Sequence, residues 1–270
     1  MQLSIEVSAL NIYPIKSCRG IALEAATIGP RGFLHDREWM VVTPEGRFLT
    51  QREIPHLALV QPMLRDDGAL VVQATGVASL VIPADATGER CDVTIWRDQC
   101  QAIDMGEEAA VWFSTVLGAA CRLVHFDLTT KRAVNPDFAQ NAEDQVGFAD
   151  AYPFLILSEG SLADLNERLA TPLPMNRFRP NIVVRGCAPF AEDTWQHVRI
   201  GAASLALVKP CARCVIPTTD QETASTSKEP LRTLATYRNS ANGVLFGQNA
   251  IHLTGGTIHI GDQVQILAQR

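Results

Sequence analysis

Short apolar runs broken by turn formers fill the first half of the chain. Residues 39–43 lead into Pro44-Glu45-Gly46, and residues 57–64 lead through Arg65-Asp66-Asp67-Gly68 into residues 70–72. Both read as hairpins, because glycine supplies the positive φ that a tight turn requires. Residues 1–7 alternate apolar and polar positions, and further strands are expected at 78–82, 92–96 and 122–126. This spacing predicts an antiparallel barrel or sandwich. Residues 107–117 depart from it: an acidic first turn followed by Val111, Trp112, Val116 and Leu117 on one face predicts a helix that closes the first unit.

Residues 129–147 are polar and contain Asn135-Pro136, which predicts a loop or linker. A boundary is expected near residue 127, dividing the chain into units of residues 1–126 and 127–270. In the second unit Ser158 can cap a helix whose Leu162, Leu165 and Leu169 share a face, ended by Thr171-Pro172-Leu173-Pro174. Strands are expected at 182–185, 194–200, 204–209, 245–253 and 264–267. A short helix is expected to start at Pro230 and to turn Leu231, Leu234 and Tyr237 inward. The fold class is therefore mainly β with α/β character, a β-barrel-like N-terminal unit followed by a second β unit with peripheral helices.

Composition narrows the class of protein. With 270 residues, 47% hydrophobic and 19% charged, the chain can bury a sizeable core. A net charge of -6 argues against a general nucleic-acid surface, so each basic residue must be read within its own motif. The seven cysteines are odd in number and follow no framework spacing, which predicts free thiols in a reducing compartment. Residues 1–7 show no basic-then-apolar export pattern and no apolar run approaches the roughly 20 residues that span a bilayer. A soluble, cytoplasmic protein without membrane attachment is expected.

The candidate chemistry centres on the run from Lys209 through Pro210, Cys211, Ala212, Arg213 and Cys214 to Asp220. A redox Cys-x-x-Cys pair needs its first thiol at a helix N-terminus, whereas these thiols follow a strand-like run and precede a proline-interrupted segment. A structural zinc site needs two further ligands at matching spacing, and no second Cys-x-x-Cys or His-x-x-x-His pair exists. What remains is a soft ligand on an extended segment, flanked by Lys209 and Arg213. Four other segments join charge to a restricted backbone: Tyr13 to Cys18, His35 to Trp39, Phe178 to Asn181, and Leu245 to Asn249. A single Arg or Lys is usually a solvated surface charge. Arg179 nevertheless opens a buried strand, where a guanidinium must meet an anion or bear a desolvation cost, and Lys16 with Ser17 suits a phosphate oxygen. Arg37 could equally pair with Asp36 or Glu38.

Taken in order, Tyr-Pro-Ile-Lys-Ser-Cys at 13–18, Asp-Arg-Glu-Trp at 36–39, Leu-Ser-Glu-Gly-Ser-Leu-Ala-Asp-Leu-Asn at 157–166, Phe-Arg-Pro-Asn-Ile-Val-Val at 178–184, Lys-Pro-Cys-Ala-Arg-Cys at 209–214 and Phe-Gly-Gln-Asn at 246–249 resemble the signature of the MOSC proteins with a β-barrel N-terminal domain. This group contains the mitochondrial amidoxime-reducing components and their bacterial relatives. The resemblance spans essentially the whole chain. It implies a MOSC β-barrel domain in the second unit and a molybdenum cofactor, a molybdopterin, bound between the two. Carried over residue by residue, it implies that Cys214 ligates molybdenum and is the catalytic residue. Lys16, Ser17, Arg37, Arg179 and Asn181 would hold the pterin and its phosphate. Cys211 would be a neighbour, and Cys18 a filler or a pocket-lining thiol.

The resemblance further implies reduction of N-hydroxylated compounds such as amidoximes and N-hydroxy nucleobases, with N-oxides as a further class, in a detoxifying, pyridoxal-phosphate-independent reaction. Some bacterial members continue into an iron–sulfur ferredoxin domain, whereas this chain stops at Arg270. Electrons are therefore expected from an external ferredoxin-, flavodoxin- or cytochrome-type protein with its reductase. The motifs do not single out a proton donor, although Asp150, Tyr152 and Asp220 lie near them. Two other classes compete: a cofactor-binding or sulfur-carrier module without reductase activity, and a zinc or dithiol protein using Cys211 and Cys214.

Overall fold

The structure, a computed structural model, describes residues 4–127 and 129–270, so residues 1–3 of the expected N-terminal strand lie outside it. The chain is mainly β. Its largest sheet runs in the order Val264–Gln269, Trp195–Ile200, Ala203–Ala212, Gly243–Thr254, Phe154–Ser158, Ile182–Arg185, Glu6–Ile12, Ile21–Leu23, with Asn239–Ser240 alongside Gly243–Thr254. Its neighbours are antiparallel except Phe154–Ser158 and Ile182–Arg185. Parallel strands need a crossover, and the helix Glu159–Glu167 supplies it. That unit is the source of the α/β character. The helix starts where Ser158 predicts, its side chain accepting the Ser161 N–H at 3.0 Å.

The first half adds a four-stranded sheet, ordered Trp39–Val42, Arg122–Phe126, Asp98–Asp104, Arg90–Ile95, and a three-stranded one, Gln61–Leu64, Leu70–Gln73, Leu80–Ile82. The helix Gly106–Leu117 sets Ala109 and Phe113 into the core these strands share with Leu57 and Val60. It ends at Gly118, whose φ of 67° is the left-handed cap conformation. A second core joins Met40, Val42, Val124 and Phe126 to Phe148, which reaches in from beyond the linker.

Two expectations shift. The strand predicted over 57–64 is a 3-10 turn, Pro55–Leu59, followed by the shorter strand Gln61–Leu64. Pro55 fixes φ and lacks the N–H that a sheet ladder needs, so the turn wins over the apolar pattern. The first strand is Glu6–Ile12, and it sits inside the large sheet between Ile182–Arg185 and Ile21–Leu23. A register irregularity between Val7 and Ala9 breaks its alternation, so that Val7, Leu10 and Ile12 all point into one core with Ile156, Ile182 and Leu205. Lys16 and Ser17 therefore lie beyond the strand, in the turn that follows it. Among the described residues no helix is long and apolar enough to cross a membrane.

Candidate functional site

The turn after the first strand begins the site. Tyr13 and Lys16 are laced to the next motif: Arg37 N–H donates to Tyr13 O at 2.9 Å and Lys16 N–H to Trp39 O at 2.8 Å. This brings two segments separated by some twenty positions to the rim of a cavity of about 290 Å3, at the lower end of the roughly 300–1,000 Å3 of small-molecule pockets. Its walls hold Lys16, Ser17, Arg37, Arg179, Asn181 and Cys214, so all six residues nominated from the sequence meet in one place. Ser17, Arg37 and Arg179 adopt φ values of 67°, 52° and 58°. Left-handed backbone at a residue with a Cβ costs of order 1–3 kcal/mol and persists only where the surroundings enforce it.

Each charge has a different answer to burial. Lys16 is 5% exposed and donates to Phe148 O at 2.7 Å and to Asp150 Oδ1 at 2.5 Å. Burial pulls its ammonium below the usual lysine range, with Asp150 opposing. Against the cost of burying it, the charges of Lys16 and Arg52 hold the Asp150 carboxyl well below the carboxylate range, although half of that side chain still faces solvent that screens them. Arg37 Nη1 donates to Asp36 Oδ2 at 2.5 Å and to Asn181 Oδ1 at 3.0 Å, so Asp36 is its ion-pair partner while Glu38 instead faces His35 and His125. Asn181 is largely committed to the protein: its Oδ1 also accepts from Leu155 N–H and its Nδ2 donates to Asn11 O.

Arg179 differs from these. It is 8% exposed, its guanidinium lies 4.2 Å from the Tyr13 ring, and among the described residues it makes no ion pair or hydrogen bond through its side chain. Burial pushes it down to about 10, with Tyr13 opposing, and pushes the Tyr13 hydroxyl up to about 12. Arg213 donates Nη1 to Cys211 Sγ at 3.1 Å and Nη2 to Phe178 O at 2.8 Å, while its buried Nε has no partner among the described residues. A buried and a half-buried cation with unspent donors fit an anion such as a terminal phosphate. Cys214 is half-buried, and Arg52 Nη2 donates to its Sγ at 3.2 Å. Among the described residues no cluster of three or more His, Cys, Asp or Glu could hold a metal ion by itself. A metal at Cys214 would take its other ligands from a bound group, which is what a pterin dithiolene with oxo ligands offers. The donor set thus fits a molybdopterin and does not fit a structural zinc site.

Several contributors carry no signal in the sequence. Arg52 bridges Cys214 and Asp150, and its guanidinium lies over the Trp96 ring at 4.6 Å; Trp96 Nε1 in turn donates to Asp150 at 3.3 Å. Arg132, buried in the polar linker, donates to the carbonyls of Gly147, Ala149 and Asp150 and so shapes that wall. Arg177 donates to the carbonyls of Pro217 and Thr218 and pairs with Asp220, holding the segment after Cys214. Asp220 also accepts from the N–H groups of Glu222 and Thr223, a turn-capping role away from the chemistry. Tyr152 lines the cavity; Cys18 is wholly buried behind it.

Residues 4–120 match the family model of a MOSC N-terminal beta barrel domain and residues 143–265 that of a MOSC domain. Mouse mitochondrial amidoxime-reducing component 1 is 40% identical, covering 97% of this chain and 82% of its own. Bovine mitochondrial amidoxime reducing component 2 is 42% identical over 86% of this chain and 72% of its own. The YuaD protein of Bacillus subtilis covers 97% of this chain and 94% of its own at 10% identity and a TM-score of 0.42, a likeness too remote to bear on the site. The cytoplasmic location expected from the sequence is overturned by the relatives' names, which are those of mitochondrial proteins. Free thiols report a reducing environment and do not separate one reducing compartment from another.

Proposed function

This chain belongs to the MOSC family that includes the amidoxime-reducing components, and from that membership we propose that it is a molybdenum-cofactor-dependent reductase of N-hydroxylated compounds. The observation that carries the proposal is the cavity in which the half-buried thiol of Cys214 meets Arg179, a buried cation with no carboxylate partner among the described residues. When bound, the cofactor supplies a two-electron redox centre able to take oxygen from an N–OH or N-oxide group. The remaining work belongs to the chain. Cys214 Sγ would hold the metal, and Arg52 Nη2, which donates to it at 3.2 Å, would steady the sulfur in place. Arg179, Lys16 and the Ser17 hydroxyl would hold the phosphate, and Asn181, which accepts from Arg37 Nη1, would help to fix the Arg37 guanidinium at the same cavity.

Asp150, kept ionised by Lys16 and Arg52, acts as an acceptor that fixes Arg52 and Trp96 rather than as a proton donor at neutral pH. Cys211, bonded by Arg213, is a neighbour. Electrons come from an external electron-transfer protein, in keeping with the word component in the relatives' names. Residues from both sides of the expected boundary near 127, Lys16, Ser17, Arg37 and Thr50 before it and the rest after it, line that one cavity.

The test is protein made in a host that synthesises molybdenum cofactor, assayed for metal content and for reduction of benzamidoxime with an artificial one-electron donor. Molybdenum and activity are expected together, with no turnover on NADH alone. Cys214→Ser should lose both and Cys211→Ser should be milder. Full activity in Cys214→Ser with loss in Cys211→Ser would reverse the ligand assignment, and a loaded protein that reduces no N-hydroxylated compound would end the reductase reading.

A further inference from the structure

Five cations line the cavity: Lys16, Arg37, Arg179, Lys209 and Arg213. Lys16 is met by Asp150 and Arg37 by Asp36. Arg179, Lys209 and Arg213 have no carboxylate within ion-pair distance among the described residues. The three are not equivalent. Arg179 shares the Tyr13 ring with Arg37, at 4.2 Å each, and belongs to the end of the cavity assigned above to the cofactor phosphate. Arg213 commits both of its Nη groups, to Cys211 and to Phe178 O, and leaves only its Nε unpartnered among the described residues. Lys209 is built on a different ring, its ammonium 4.7 Å from the centroid of Phe138, which packs edge-on to Tyr152 at 6.0 Å.

Lys209 lies in the strand Ala203–Ala212 opposite Asn249 of the neighbouring strand, and Asn249 and Tyr152 also line the cavity. Among the described residues neither the Tyr152 hydroxyl nor the Asn249 side-chain amide has a hydrogen-bond partner, and Lys209 Nζ has none either. Asp137, the carboxylate whose charge reaches Tyr152, is exposed and lies outside ion-pair distance of Lys209. Contact with an aromatic face orients an ammonium but leaves its charge and its three N–H donors unspent. An ammonium, a phenol and a carboxamide facing one cavity without protein partners form a donor set for an oxyanion.

We propose that Lys209, Tyr152 and Asn249 form a substrate subsite that selects N-hydroxylated compounds carrying an anionic group, a carboxylate or a phosphate. The proposal rests on the reductase reading and names the substrates that site prefers. Specificity then comes from the second half's strands, while the cofactor is held from the Tyr13 end.

The experiment compares holoenzyme and its Lys209→Gln and Lys209→Arg forms on two substrate pairs: benzamidoxime against 4-carboxybenzamidoxime, and N4-hydroxycytidine against its 5′-monophosphate. Wild type should favour the anionic member of at least one pair in kcat/KM. Lys209→Gln should lower that ratio about tenfold and Lys209→Arg should restore most of it; the responding pair tells carboxylate from phosphate. Binding of 4-carboxybenzamide and benzamide, which are not reduced, is measured in parallel by ligand-detected NMR, and the preference for the anion should fall in Lys209→Gln. Unchanged ratios and unchanged binding overturn the subsite, as does loss of molybdenum from Lys209→Gln, which would assign Lys209 to the cofactor. Anion preference in binding with no reduction of any compound keeps the subsite and removes the reductase reading; reduction without preference does the reverse.

Discussion

Arg179 brings a buried guanidinium to the cavity with only an aromatic ring to meet it, and a protein bears that cost where a ligand completes the pairing. Arg179→Ala should therefore reduce molybdenum content more than it reduces stability, and Lys16→Ala, which removes the neighbouring ammonium that Asp150 meets, should add to the loss of metal. Losing one charge-assisted phosphate contact is worth about 2 kcal/mol, roughly thirty-fold in affinity. Metal analysis beside a thermal melt separates the two effects, and an undiminished metal content in the double variant would remove the anchoring role. A second residue-scale prediction concerns Glu38. Although burial opposes it, His125, whose Nε2 lies 3.9 Å from it, and the hydrogen-bonded His35 bring its carboxyl from 4.5 down to about 2. A depressed carboxyl stabilises the fold above its ordinary value and loses that contribution as pH falls from 4.5 toward 2. His35, raised from 6.5 by Glu38, works the other way, its share present at low pH and lost as pH rises through its folded value. Urea midpoints measured from pH 6 to pH 3 should fall more steeply for wild type than for Glu38→Gln; parallel curves would show that this cluster does not govern the acid limb.

The parallel pair Phe154–Ser158 and Ile182–Arg185, with its connecting helix, is the element on which the motif at 157–166 acts. Ser158 serves the end of the strand and the start of the helix together. Its N–H donates to Glu192 Oε1 at 3.0 Å, its hydroxyl accepts the Ser161 N–H, and Ser161 Oγ donates to the same Glu192 at 2.7 Å. Ser158→Ala removes the cap from a fully buried network and should cost about 1–2 kcal/mol of unfolding free energy in denaturant titration. Ser158→Thr should retain much of it if there is room for the methyl. An Ala variant as stable as wild type would mean that the network is satisfied without the hydroxyl.

Across the whole molecule, the halves are tied by a reciprocal amide pair. Gln51 Nε2 donates to Gln221 Oε1 and Gln221 Nε2 to Gln51 Oε1, each at 3.0 Å, with both side chains buried. Gln51 also donates to Ser17 O at 2.6 Å and Gln221 to Thr219 O at 3.0 Å. The turn that bears Lys16 and Ser17 is thereby coupled to the segment that follows Cys214. Either single alanine substitution leaves a buried amide without its partner, so each should cost about 1–3 kcal/mol, while the double variant should cost less than their sum by about 0.5–3 kcal/mol. Additive losses in a denaturation cycle would show that the two amides stabilise their own segments independently.

Local pattern alone determined much of this protein. Alternation and turn residues placed five strands of the second half, missing the short Thr257–His259. They placed one hairpin of the first half, Gln61–Leu64 with Leu70–Gln73, whereas Trp39–Val42 pairs instead with the distant Arg122–Phe126. Ser158 and its leucines placed one helix; the six residues that the cavity brings together were named by the family resemblance of the ordered motifs and not by local pattern. Local signals act between neighbours a few positions apart, through backbone preference and the face that a side chain presents. Tertiary structure decided the rest. Nothing near Lys16 in the chain announces Asp150, 134 positions away, and nothing near Gln51 announces Gln221, 170 positions away. Arg52, Arg132 and Arg177 read as ordinary surface charges until the fold buries them against carbonyls or a thiol. The left-handed backbone of Ser17, Arg37 and Arg179 is equally invisible in their side chains, because no local preference favours it and only the surrounding contacts enforce it. Whether a cavity cation meets a carboxylate, as Arg37 does, or none among the described residues, as with Arg179 and Lys209, depends on which distant residues the fold brings beside it.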